Sequence, residues 1–68
     1  MYIGMLMTDY EIFAIGETEN EVKKNIVRGY KDFYPIDQRR FEKPTFKDLD
    51  EWFGCWIMKI NDKGYAHP

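Results

Sequence analysis

Two hydrophobic periods divide this chain of 68 residues into elements. The opening Met1–Met7 is apolar and bounded by Thr8-Asp9, and Tyr10–Ile15 is then rich in strand formers, which predicts a β-hairpin. In its second strand Glu11, Phe13 and Ile15 share one face while Tyr10, Ile12 and Ala14 share the other. A single charge among those six positions predicts that one face is only partly solvated. Gly16 breaks the strand, and Thr18-Glu19-Asn20-Glu21 reads as a capping box: the Thr18 hydroxyl accepts from the Glu21 amide, and the Glu21 side chain reaches back to the Thr18 amide.

The period then changes from two to 3.6. Val22, Ile26, Tyr30 and Phe33 recur at steps of four, four and three, so a helix from Glu19 to about Phe33 presents one apolar stripe to the hairpin. Its acids lie early and Lys23, Lys24, Arg28 and Lys31 lie later, as the helix dipole favours. Gly29 marks a close-packing point or a place where the helix frays. Pro35 stops the helix, because a proline disfavours α conformation in the residue before it. Pro35 to Pro44 is a loop of about ten residues.

Thr45 caps a short second helix with an apolar face of Leu49, Trp52 and Phe53, and Gly54 ends it in a left-handed conformation. Cys55–Ile60 reads as a strand with Trp56, Met58 and Ile60 on one side. Asn61-Asp62-Lys63-Gly64 is a turn, and Tyr65 to Pro68 is a short return strand or a tail. The predicted architecture is a single α+β domain: a β-hairpin, a long amphipathic helix, a short helix and a third strand, forming a small antiparallel sheet with helices on one face.

Charge is segregated along the chain. Residues 1–21 carry five acids and no Lys or Arg, residues 22–47 carry eight bases against three acids, and residues 48–68 carry four acids against two bases. The net charge of −2 therefore conceals a basic middle between acidic ends. No apolar run approaches ~18 residues, so no transmembrane span is expected. The apolar start lacks the basic segment and small-residue cleavage site of a signal peptide. With one cysteine, Cys55, no internal disulfide can form, and a reducing cytoplasm is the expected compartment.

Catalytic chemistry finds little support. Cys55 as a nucleophile needs a base, and the only histidine, His67, is penultimate, where a solvated tail residue is expected. One Cys and one His do not fill a zinc shell, and of the neighbouring acids Asp48, Asp50 and Glu51, Asp48 and Glu51 fall at a helix start where acids serve capping. The five glycines are dispersed and form no phosphate-binding loop. The expectation is a protein without catalytic residues, metal or cofactor.

Binding is better supported. Twelve aromatic residues are hard to bury completely in so short a chain, and exposed aromatics, Met and Arg are enriched at interface centres. Arg39, Arg40 and Phe41 in the proline-bracketed loop and Tyr65 near the end are the candidate contacts with a partner protein, while Trp52 and Trp56 are assigned to the core. The alternative is a nucleic-acid-binding regulator. Lys24, Arg28 and Lys31 on one helix face, followed by Arg39, Arg40, Lys43 and Lys47, would track phosphates, with Phe41 and Phe46 stacking on bases. A further possibility is an acidic surface of Asp9, Glu11, Glu17, Glu19 and Glu21 that mimics nucleic acid or meets a basic protein. With so few strands an exposed sheet edge is expected, and edges invite pairing between copies, so a homodimer is also expected.

The stretch from Tyr10 to Tyr34, a strand, a Gly16-Glu17-Thr18 turn and a capped helix, resembles HicB-like antitoxins. That resemblance implies a partial RNase H-like fold and a role in neutralising an mRNA-cleaving toxin; no residue role is carried over from it. In size, acidity, aromatic content and lack of catalytic groups the chain also resembles small accessory proteins of bacteriophages and mobile elements, including anti-CRISPR inhibitors of host defence.

Overall fold

The apolar start and the strand-forming segment after Thr8 pair as expected. In the computed structural model, which describes residues 1–66 and, of residues 9–11, the backbone only, β1 (Tyr2–Leu6) and β2 (Asp9–Gly16) form an antiparallel hairpin. A third strand, β3 (Cys55–Lys59), adds antiparallel to the other side of β1, giving the order β2-β1-β3. The register places Ile3 between Ile15 and Met58, Met5 between Phe13 and Trp56, and Gly4 between Ala14 and Ile57.

Helix α1 (Glu19–Phe33) and helix α2 (Phe46–Phe53) cover one face of this sheet, α1 over β2 and β1 and α2 beside α1. The core between them is Leu6, Ile12 and Ala14 from the sheet, Val22, Ile26 and Tyr30 from α1, and Leu49 from α2. Phe33 is a correction to the predicted stripe, being half-exposed and set edge-on against Tyr34 instead of buried. Phe33 lies in the last turn of α1, and Pro35 follows two residues later.

Gly4 explains how closely α1 approaches β1. A Cβ there would lie 2.7 Å from Val22 Cγ1 and 3.0 Å from Ile26 Cδ1, distances that only a missing side chain permits.

The two helix starts are capped differently. Thr18 accepts from the Glu21 amide at 3.1 Å, but the Glu21 carboxylate accepts from the Glu17 amide at 2.6 Å and not from Thr18, so the first box closes one residue early. Thr45 and Asp48 form the complete reciprocal box of α2, at 3.2 and 3.1 Å. Gly54 ends α2 with φ 77° and ψ 143°, a positive φ as predicted but with an extended ψ that feeds straight into β3.

The loop after α1 is ordered by a buried tyrosine. Tyr30 sits on the predicted apolar stripe, yet its hydroxyl accepts from the amides of Arg40 at 3.0 Å and Phe41 at 3.4 Å. Its ring meanwhile packs on Tyr34 and Phe53, so one residue joins helix, loop and α2. After β3, the Asn61 side chain accepts from the amides of Lys63 and Tyr65, and the Asn61 amide donates to the Tyr65 carbonyl. Tyr65 and Ala66 continue from that turn without forming a return strand; His67 and Pro68 lie outside the described residues.

Candidate protein-binding surface

Because successive strand residues point to opposite sides, covering one face of a three-stranded sheet leaves the other to be read from the register. Tyr2, Gly4, Leu6, Ile12, Ala14, Cys55 and Ile57 point to the helices or pack on the core. The opposite set is Ile3 and Met5 on β1, Phe13 and Ile15 on β2, and Trp56 and Met58 on β3. The Ile60 amide donates to the Met1 carbonyl, which extends the pairing by one row and adds Met1 and Ile60 to the same side. These eight side chains are all apolar. Phe13 is 59%, Ile15 55% and Met1 51% exposed, and the other five are half-buried.

No helix covers this side. The 15 residues of α1 and the 8 of α2 are used on the other face, and the chain has no third helix among the described residues. Three strands ~4.8 Å apart and five residues long at ~3.3 Å each give a flat footprint of roughly 240 Å². Side-chain relief on such a footprint brings it into the range of the largest apolar patches on monomeric proteins, which are commonly binding sites. The assignment of Trp56 to the core is corrected here: its ring belongs to the open face.

The predicted partner contacts fall elsewhere. Arg39 is half-buried, and its guanidinium donates to the carbonyls of Glu42 at 2.6 Å, Tyr34 at 3.4 Å and Lys31 at 3.5 Å. It satisfies carbonyls at the end of α1 and in the loop, while its Nε is buried with no hydrogen-bond partner among the described residues. Arg40 is exposed and its guanidinium carbon sits over Trp52, 3.3 Å from the ring centroid, with the Phe41 ring at 5.9 Å. Trp52 is 54% exposed, so its assignment to the core is also corrected. At helical spacing it falls on the outer side of α2, where the guanidinium covers it. Phe41 is half-buried against the core, and Tyr65 is exposed beyond the Asn61 turn.

Lys24 and Arg28 are exposed along α1, and Lys23 and Lys24 line a shallow hollow of about 270 Å³ with Val27, Pro44, Thr45 and Phe46. Lys23 Nζ sits 5.3 Å from the Phe46 ring centroid. Of the bases expected to track phosphates, Lys24, Arg28 and Lys31 stand exposed on the helix and Lys43 and Lys47 are exposed after it, whereas Arg39 is tied to backbone and Arg40 to Trp52. Glu17, Glu19 and Glu21 are exposed at the start of α1; the side chains of Asp9 and Glu11 lie outside the described residues.

No protein-family model, curated protein or solved structure matches the chain.

Cys55 packs beside the core with its amide donating to Asp50 Oδ1 at 3.1 Å. Burial pushes its thiol above the ordinary value and the Asp50 carboxylate adds to this, against smaller opposing effects of a hydrogen bond with the Met5 backbone and of Lys23. A thiol so placed holds less thiolate than a free one, the reverse of what a nucleophile needs. Among the described residues no group of three His, Cys, Asp or Glu side chains comes together as a cation site, and no helix is long and apolar enough to cross a membrane.

Proposed function

We propose that this protein is a non-enzymatic binding module that inhibits or modulates a partner protein in the cytoplasm, docking through the open sheet face. The observation that carries this reading is the row of eight apolar side chains, Met1, Ile3, Met5, Phe13, Ile15, Trp56, Met58 and Ile60, with no covering element among the described residues; Glu11, which strand alternation assigns to the same face beyond Phe13, has its side chain outside the described ones. Charged residues are depleted at interface centres and aromatic residues and Met are enriched there. Leaving such a surface in water gains nothing for the isolated fold. The Arg40–Trp52 stack forms a second exposed surface with interface-type residues and is a secondary contact in this reading. The finer assignment, an inhibitor of a host or defence-system protein of the anti-CRISPR or antitoxin kind, draws on the resemblance of residues 10–34 and on the chain's general character.

Affinity capture from the native host's lysate, with and without nuclease, tests the reading when wild type is compared with Phe13→Glu. A defined protein that stays bound after nuclease and is lost from the variant is the expected result. Capture that Phe13→Glu leaves unchanged would remove the sheet face from the proposal. Recovery of nucleic acid, with prey lost on nuclease treatment and binding that weakens steeply with salt, would transfer the function to Lys24 and Arg28 on α1, whose exposure favours the regulator reading.

A further inference from the structure

We infer that in the free protein the open sheet face is occupied by a second copy of this chain, so that two sheets stack face to face in a two-fold homodimer with the helices outside. This deepens the binding-module reading and rests on the same face, but it commits the face to a definite first occupant.

Self-complementarity is the first argument. A two-fold interface sets each side chain against its own symmetry mates, so any charge at its centre would oppose a like charge. The eight described side chains at the centre of this face carry none, Glu11 falling beyond Phe13 with its side chain outside the described ones, and apolar composition of this degree is a property of homodimer interfaces more than of transient ones, whose makeup resembles the general surface. The exposed charges on the helices lie elsewhere: Lys24 and Arg28 on α1, Glu17 to Glu21 at its start, Lys47 and Glu51 paired on α2.

Area is the second. Taking roughly 150–200 Å² for each large side chain, the three exposed members, Met1, Phe13 and Ile15, leave roughly 250–330 Å² and the five half-buried ones bring this to about 500 Å² of apolar surface per copy. Two copies would then bury about 1,000 Å², which reaches the threshold of a specific interface without exceeding the weak end of the range. The expected dimer is therefore reversible in the micromolar range. It also supplies what the fold lacks, because seven buried residues on one side of the sheet are a small core, and stacking a second sheet ~10 Å away gives the other side an interior.

The third argument distinguishes the face from the edge. Of the two edge strands, β2 and β3, β2 could pair with another copy only through its free backbone groups, and Asn25 Nδ2 on α1 already donates to the Ile15 carbonyl at 2.9 Å. A side chain that occupies an edge acceptor opposes strand addition there. The β2 edge is thus less open to pairing, the proposed dimer forms through the face, and a protein partner that docks on this face competes with the second copy.

Sedimentation velocity on the full chain, from sub-micromolar to several hundred micromolar, reads the result. Wild type is expected to pass from monomer to dimer mass, and Phe13→Glu and Ile15→Glu, each at a half-exposed position, are expected to weaken association at least ~30-fold with unchanged circular dichroism. A wild type that stays monomeric throughout would overturn the proposal, as would a dimer that both variants leave intact. The two readings fail separately: a monomeric wild type whose partner capture is still lost in Phe13→Glu would overturn the homodimer and keep the binding module.

Discussion

The two faces of one three-stranded sheet are both apolar, yet only one has become a core. On the helix side Leu6, Ile12 and Ala14 are buried, and Gly4 gives up its side chain so that Val22 and Ile26 can come close. On the other side Phe13 and Ile15 stand more than half exposed, and Ile3, Met5, Trp56 and Met58 are half-buried and outside the core cluster. Composition does not separate these faces. What separates them is the amount of helix available: two helices, one of only two turns, cover one side and leave none for the second. Hydrophobic residues on the covered face stabilise the fold, and those on the open face are free to stabilise an assembly.

The largest expected effect breaks this comparison into two unequal halves. Ile26, fully buried between α1 and the sheet, should lose ~2–5 kcal/mol of stability on replacement by Ala, the transfer and cavity terms acting together. Phe13→Ala removes a larger side chain from the open face, but at concentrations where the protein is monomeric it should change stability by no more than ~0.5 kcal/mol. Urea denaturation of both variants in dilute solution makes the measurement. Similar losses in the two would mean that the open face is packed within the monomer, contrary to the structure.

Glycine substitutions sharpen the contrast at smaller scale. Gly4→Ala on the covered side forces a methyl group against Val22, Ile26 and Ile57, all within 3.2 Å of the new Cβ, and should cost ~1–3 kcal/mol because the helix must shift away. Gly29→Ala acts in the opposite direction. The sequence suggested close packing or fraying there, but α1 runs on through Gly29 to Phe33, and an added Cβ would meet only Ile12 Cγ2 at an ordinary 3.5 Å. The gain in helix propensity then governs, and Gly29→Ala should stabilise by ~0.5–1 kcal/mol in thermal or chemical denaturation.

How far the sequence could carry these conclusions depends on the range of the interaction involved. Local signals were legible: the alternation of Tyr10–Ile15, the Thr18 cap, the stripe of Val22, Ile26 and Tyr30, Pro35 and Gly54 each specify structure within a turn or two, and the elements follow them. The lone charge among Tyr10–Ile15 even hinted at a face without full solvation. Which of two apolar faces receives the helices is a long-range matter, and the pairing of β3 with β1, which puts Trp56 beside Met5, spans the whole chain. Trp52 and Arg40 illustrate the same limit. Twelve residues apart in sequence, they meet only because Tyr30 and Arg39 fix the course of the loop between them. Arg39 itself looked like a contact residue because a free guanidinium and one spent on backbone carbonyls have the same sequence signature.

The smallest effect tests the covered face from inside. Cys55 lies on that side of β3, and burial together with Asp50 raises its thiol above the ordinary value. Alkylation by iodoacetamide near neutral pH should therefore be slower in the native protein than in urea, and slower than for a thiol placed on the open face by Phe13→Cys in a Cys55→Ser background. Asp50→Asn keeps a side-chain oxygen for the Cys55 amide while removing the charge, so native labelling should quicken modestly. The pH dependence has a fixed sign. A folded-state value above the unfolded one means that the folded protein holds its proton longer, so the stability present below the ordinary thiol range is lost as pH rises through the folded value. Cys55→Ser should flatten that part of the alkaline decline. Equal labelling rates for Cys55 and the thiol at position 13 would show that the two faces are equally open, and the distinction on which both proposals stand would fall with it.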